Sequence, residues 1–289
     1  MISYNPKDWF KFIFTFHRAD TLRELFPLIV AVGVYAAVID YVLLVIVGIE
    51  KTHVLTKITY VHQTIGFLFS LLLAFRINSA YDRWWEGRKL WGSLVNNSRN
   101  LAIKLKYLLH SEDDIAFFNF AIPFYARVLK RHLRDIHTNE DQSFITLDTS
   151  KHAPNQVATA IISRIYRLNK AGVINPEQLL SVNAEMASFT DICGACERIK
   201  KTPIPFSYSV FIKKFIFTYI MTLPFAWVVD LRYYVIPFVC FILFVFASVE
   251  LIAEEIEDPF GLDANDLPLV SIAEGIEKHV GEIFEAKNA

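Results

Sequence analysis

Long uncharged apolar runs, rather than short amphipathic stripes, dominate the pattern of this chain. A helix crossing a bilayer core needs about 20 largely apolar residues, and four stretches approach that. They run from Phe26 to Val47, broken by Asp40; from Ile58 to Phe75, uncharged when His62 is neutral; from Phe215 to Val229; and from Tyr233 to Val249. The third is short, but Tyr208 to Ile212 extends it across Lys213 and Lys214. Only Asp230, Leu231 and Arg232 separate it from the fourth, so the two read as a helical hairpin. One such stretch alone also fits a core helix of a large soluble protein. Four of them in 289 residues favour the membrane.

The region 76–205 between the second and third spans is polar enough for water and carries helix punctuation. Ser111 with Asp114 reads as a capping box. Asn175–Pro176 puts a cap before a proline at the first helical position, Gly172 reads as a helix end, and Asp135 to Asn155 reads as a loop. No alternating strand pattern of useful length is present. The expected organisation is 1–75 with the first two membrane helices, a helical cytoplasmic region 76–205, the hairpin 206–252, and an acidic turn with a C-terminal helix, 253–289. The expected fold class is all-α, an integral membrane protein with four transmembrane helices per subunit and a helical cytoplasmic domain.

Composition strengthens the membrane reading. Hydrophobic residues make up 54% of the chain, 25 of them Phe, where soluble domains hold about 45–50% apolar residues. The net charge of −1 points to no nucleic acid. Cationic residues set the orientation. Lys7, Lys11, Arg18 and Arg23 precede the first span, Arg76, Arg83, Arg88 and Lys89 follow the second, and Lys200, Lys201, Lys213 and Lys214 flank the third. The loop between spans one and two holds only Lys51 and Lys57, and the hairpin tip only Arg232. Both termini are therefore expected in the cytoplasm, and the N-terminus lacks the pattern of a signal peptide. Cys193 and Cys196 have the spacing of half a zinc site or a redox pair, but no second Cys or His pair completes a tetrahedral set.

Along the second span, Phe67, Leu71 and Phe75 fall one above another, and Asn78 and Asp82 continue the same arc at about 100° per residue. Facing an axis, this stripe would form an apolar collar followed by amide and carboxylate rings; facing lipid, it would be an ordinary membrane helix face. Gly66 and Ser70 lie on another arc, suited to close helix packing. Trp84, Trp85, Glu86 and Arg88, and later Glu197 and Arg198, read as structural packing and pairing residues. There is no HExxH, glycine-rich phosphate loop or nucleophile–base motif, so an enzyme is not expected.

Three motifs sharpen this picture. RINSAYDRWWEGRKLWG at Arg76–Gly92, TPIPF at Thr202–Phe206 and EDPFG at Glu257–Gly261 occur in the order and at the intervals of the bestrophin family, and the chain resembles its bacterial members over nearly its whole length. The resemblance implies a homopentameric ion channel of the inner membrane, with a single central pore lined by the second span. It implies a neck at Phe67, Leu71 and Phe75, and a cytoplasmic aperture at Ile204, just ahead of Pro205. An apolar ring offers no hydrogen bonds to replace an ion's water, so neither constriction chooses the sign of the ion by contact. A ring of Asp82 carboxylates below the neck would favour cations, in keeping with the sodium passage that the bacterial branch implies; the animal branch implies chloride. The membrane-anchored scaffold without conduction is the competing class.

Glu254, Glu255, Glu257, Asp258, Asp263 and Asp266 crowd around Pro259 and Gly261. Such oxygen-rich turns suit calcium, although the offsets are not those of an EF-hand. Animal relatives place a calcium clasp at positions matching Glu255, Asp258, Asp263 and Asp266, but Ala264 and Asn265 interrupt the acidic run here. A solvated acidic turn is the plainer alternative.

Overall fold

A computed structural model describes residues 21–49, 53–136 and 144–285. The N-terminal aromatic segment, with Lys7, Lys11 and Arg18, and also Lys51, lies outside the described residues. Among those described, every regular element is a helix: α1 Thr21–Tyr41, followed by a π-helical turn Val42–Ile46, α2 His53–Leu108, α3 Glu112–Leu133, α4 Ala153–Lys170, α5 Pro176–Lys201, α6 Phe206–Leu231, α7 Val235–Glu257 and α8 Leu269–Glu285. The chain divides into two compact units, and α2 runs without a break through both.

The first unit comprises residues 1–83, 203–257 and 263–265. It holds apolar helical stretches long enough to cross a membrane: Thr21–Ile46, the start of Lys57–Leu108, and Phe206–Glu257. The last is broken by a three-residue turn at Arg232–Tyr234, where Arg232 takes φ 48° and ends α6, so the expected hairpin forms as α6 and α7. α1 packs chiefly on α7, and α6 on α7. The seam of α2 is Thr59, His62, Gly66, Phe69, Leu73, Arg76 and Ala80, alternating in steps of three and four. Phe69 stacks on Phe215 at 4.3 Å and meets Phe246 edge-on at 5.2 Å. Gly66 is needed for close approach: a Cβ there would stand 2.4 Å from the Tyr219 hydroxyl. Ser70, expected beside it in the packing, is instead exposed and donates to the Gly66 carbonyl. Outside the seams, large apolar side chains such as Phe26, Val34, Phe217 and Phe241 are exposed, a surface suited to lipid rather than water. Asp40 is fully buried, with neither carboxylate oxygen hydrogen-bonded among the described residues.

The second unit comprises 84–202, 258–262 and 266–289. α3 packs on α8 and α4, and α4 on α5, around a core that includes Trp91, Tyr125, Phe189 and Phe260. Here the motifs of the sequence acquire a physical reason. Pro259 and Phe260 lie on Gly87, where a Cβ would come within 3.1–3.2 Å of both. The Phe260 carbonyl accepts Arg134 Nε at 3.1 Å.

The helix ends follow the sequence in part. Asn175 and Gln178 form a reciprocal capping box at the start of α5, and Gly172, at φ 76°, follows the end of α4. Ser111 caps α3 in backbone conformation only, because its side chain makes no cap bond. Asp114 pairs with Arg164 at 2.5 Å instead, two ionised partners in place of one.

Candidate functional site

Phe67, Leu71 and Phe75 are 72%, 49% and 56% exposed, and Asn78 and Asp82 are exposed as well. At about 100° per residue, this stripe points away from the buried seam of α2, on the opposite side of the helix. The chain therefore commits one face of α2 to its own core and leaves the predicted stripe uncovered. Asp82 has no ion pair or hydrogen bond recorded among the described residues; Arg83, beside it, donates Nε to the Glu257 carbonyl at 3.0 Å. Glu86 pairs with Arg198 at 2.6 Å, rather than with Arg88.

Ile204 is half-buried between Pro203 and Pro205, which lack amide hydrogens, so its own N–H is the one donor of that tripeptide. It donates to Glu257 Oε1 at 2.7 Å. The other oxygen of Glu257 receives Arg76 Nη2 at 2.8 Å, and Arg76 Nε stands 3.4 Å from both oxygens of Glu250. Arg76 is fully buried and Glu250 nearly so. Arg76 thus leaves the end of the exposed stripe on the seam side and holds, through one carboxylate, the loop that carries Ile204. Sequence reasoning missed this tether. The available signal was a cation bordering an apolar span with carboxylates ending another, since a charge at that depth needs a partner.

The Glu255 carboxylate accepts both the backbone and side-chain amides of Asn265, at 3.1 and 2.8 Å. Glu255 and Asp263 belong to the first unit, and Asp258 and Asp266 to the second. Asp266 is buried and Asp258 and Asp263 are exposed.

Cys193 and Cys196 lie on the core side of α5, both buried as free thiols. Burial pushes the Cys193 thiol up to about 12 and raises Cys196 as well. A thiol is reactive only as thiolate. In native protein at pH 8, iodoacetamide is accordingly expected to leave both unmodified, with full alkylation after denaturation. Peptide mass mapping checks this; native labelling of either at the rate of a free cysteine would contradict it.

The model of the Bacterial/Fungal Bestrophin protein family matches residues 1–282. The chain is 35% identical over 231 residues to the voltage-dependent anion channel-forming protein alr2987 of Nostoc sp., covering 75% of each chain. It is 29% identical over 290 residues to the voltage-dependent anion channel-forming protein YneE of Salmonella typhi, covering 96% of this chain and 92% of that one. The crystal structure of a bacterial bestrophin homologue from Klebsiella pneumoniae superposes with a TM-score of 0.79 at 25% identity, over 90% of this chain and 98% of that one.

Proposed function

This chain belongs to the bacterial/fungal bestrophin family of ion channels, and we propose that copies of it assemble, as a homopentamer, around one pore lined by the exposed stripe of α2. The observation that carries the reading is the stripe itself: Phe67, Leu71 and Phe75 stand opposite the buried seam, each about half exposed or more. Large apolar side chains shed water when copies close a ring around them, and such a ring gates by dewetting. In this reading α1, α2, α6 and α7 cross the inner membrane, an even number that leaves both termini on one side, and the bias of Lys and Arg makes that side, with the second unit, the cytoplasm. Ile204 forms the second constriction, held in place by Glu257 and Arg76. The mass of the detergent-solubilised complex tests the assembly, and a monomer would return the scaffold reading.

For the permeant ion we now favour anions over the sodium passage expected from the sequence. The curated relatives named above are called anion channel-forming proteins, and the positive edges of the Phe67 and Phe75 rings suit an anion at the neck. The exposed Asp82, without an ion pair or hydrogen bond among the described residues, supports the cation reading. Reversal potentials of purified protein in a planar bilayer under a NaCl gradient decide between them. A shift toward the chloride equilibrium potential is expected. A shift toward the sodium potential that Asp82→Asn abolishes would establish the cation reading instead.

Ile204→Ala is expected to raise single-channel conductance, because it widens an apolar ring whose backbone stays tethered to Glu257. Its effect on folding is expected to be about 1 kcal/mol, since the side chain is only half-buried. Wild-type current from the variant would show that Ile204 does not limit conduction.

A further inference from the structure

We propose that His132, His152 and Glu197 bind one divalent transition-metal ion, with zinc the best fit, and that the ion staples three helices of the second unit. His132 lies in the last turn of α3, His152 caps α4 and Glu197 lies in α5. Residues so far apart in sequence converge on one point. His132 Nε2 and His152 Nε2 stand 2.5 and 2.7 Å from the same oxygen, Glu197 Oε1, and the three ligand atoms all lie within 4.8 Å of one another.

The plainer account is a carboxylate oxygen shared by two imidazole donors. Three features favour a metal. First, both rings aim the same nitrogen at the same oxygen and leave the second oxygen to Lys201, 3.5 Å away. Zinc bonds of about 2.0–2.2 Å hold tetrahedral neighbours about 3.3 Å apart, so each nitrogen needs to draw back from the shared oxygen by less than about 1 Å. Second, the side chains are 19–32% exposed, which gives water access to the remaining coordination positions. Third, the donor set is two imidazoles and one carboxylate, which suits zinc, cobalt or nickel, whereas calcium and magnesium require an oxygen shell.

Protonation balances. His152 Nδ1 accepts the Asn155 N–H at 3.2 Å, so the proton of the neutral ring sits on Nε2. Metal binding through Nε2 moves that proton to Nδ1, with none gained or lost by a neutral ring. The helix gives up one cap bond, a small loss beside metal–ligand bonds.

The test uses full-length protein with any affinity tag removed, stripped by a chelator and then titrated with Co²⁺ alone. Visible d–d bands are expected to saturate at one ion per chain and to vanish when Zn²⁺ displaces the cobalt. Zn²⁺ is expected to raise the unfolding temperature, as any ligand of the native state does. Glu197→Gln and His132→Gln are expected to weaken binding by at least about 100-fold, exceeding the loss of an outer-shell partner, while His110→Gln leaves it unchanged. A stripped wild-type protein that shows no band overturns the proposal whatever the variants do. So does an identical band in Glu197→Gln.

Discussion

Replacing Arg76 by Ala is expected to destabilise the protein by about 3–5 kcal/mol, the usual cost of leaving a buried charge without its partner. Two carboxylates depend on this one guanidinium: Glu257 at 2.8 Å and Glu250 at 3.4 Å. Both are largely shielded from water, with side chains 13% and 4% exposed. Tryptophan-monitored thermal unfolding in detergent measures the loss. Removing the stranded charges should restore much of it, so Arg76→Met combined with Glu250→Gln and Glu257→Gln is expected to be far more stable than Arg76→Ala. Within the same network, Glu257→Gln retains an acceptor for the Ile204 N–H, whereas Glu257→Leu does not. Only the leucine variant is expected to change conductance as Ile204→Ala does. Wild-type stability in Arg76→Ala would mean that the buried cation is not what holds these carboxylates.

The joint substitution of Phe67, Leu71 and Phe75 by Ala is expected to have the larger effect on conduction and a small one on the fold. All three are about half exposed or more in the chain, so their removal opens no cavity in its core, and exposed substitutions usually cost within about 0.5 kcal/mol. In a closed ring the same side chains oppose wetting, and each carries about 1.5–3 kcal/mol of apolar surface. Losing even about 1.4 kcal/mol of bias toward the dry state shifts an open-to-closed ratio tenfold. The variant should therefore raise open probability by about tenfold or more in bilayer recordings. Unchanged gating and current would show that another face of α2 lines the pore.

Much of this was legible in the chain because helix periodicity is a local property. The apolar runs, the hairpin at Arg232, the Asn175 cap and the stripe from Phe67 to Asp82 follow from spacing alone. The motifs around Arg76, Thr202 and Glu257 pointed to the family without explaining themselves. The structure supplies a reason at Gly87, where a Cβ would stand only 3.1–3.2 Å from Pro259 and Phe260. The failures share a cause. Ser111 and Asp114 satisfy a capping pattern, yet Asp114 is taken by Arg164 from a helix 50 positions away. Asn265 engages Glu255, a contact that the spacing of the acidic residues does not display.

The sequence by itself determined which segments are helical, which are apolar enough for a membrane, and that Phe67, Leu71, Phe75, Asn78 and Asp82 share one face. Periodicity and hydropathy depend on near neighbours, so they survive without a fold. Which side of α2 is buried was decided only in three dimensions, by where α6 and α7 pack, and so was the outward direction of that face. The same holds for the Arg76–Glu257–Ile204 tether and for the meeting of His132, His152 and Glu197. Both join side chains many residues apart, and such pairings are settled by burial and by the need of buried charges for partners, which the order of residues does not display.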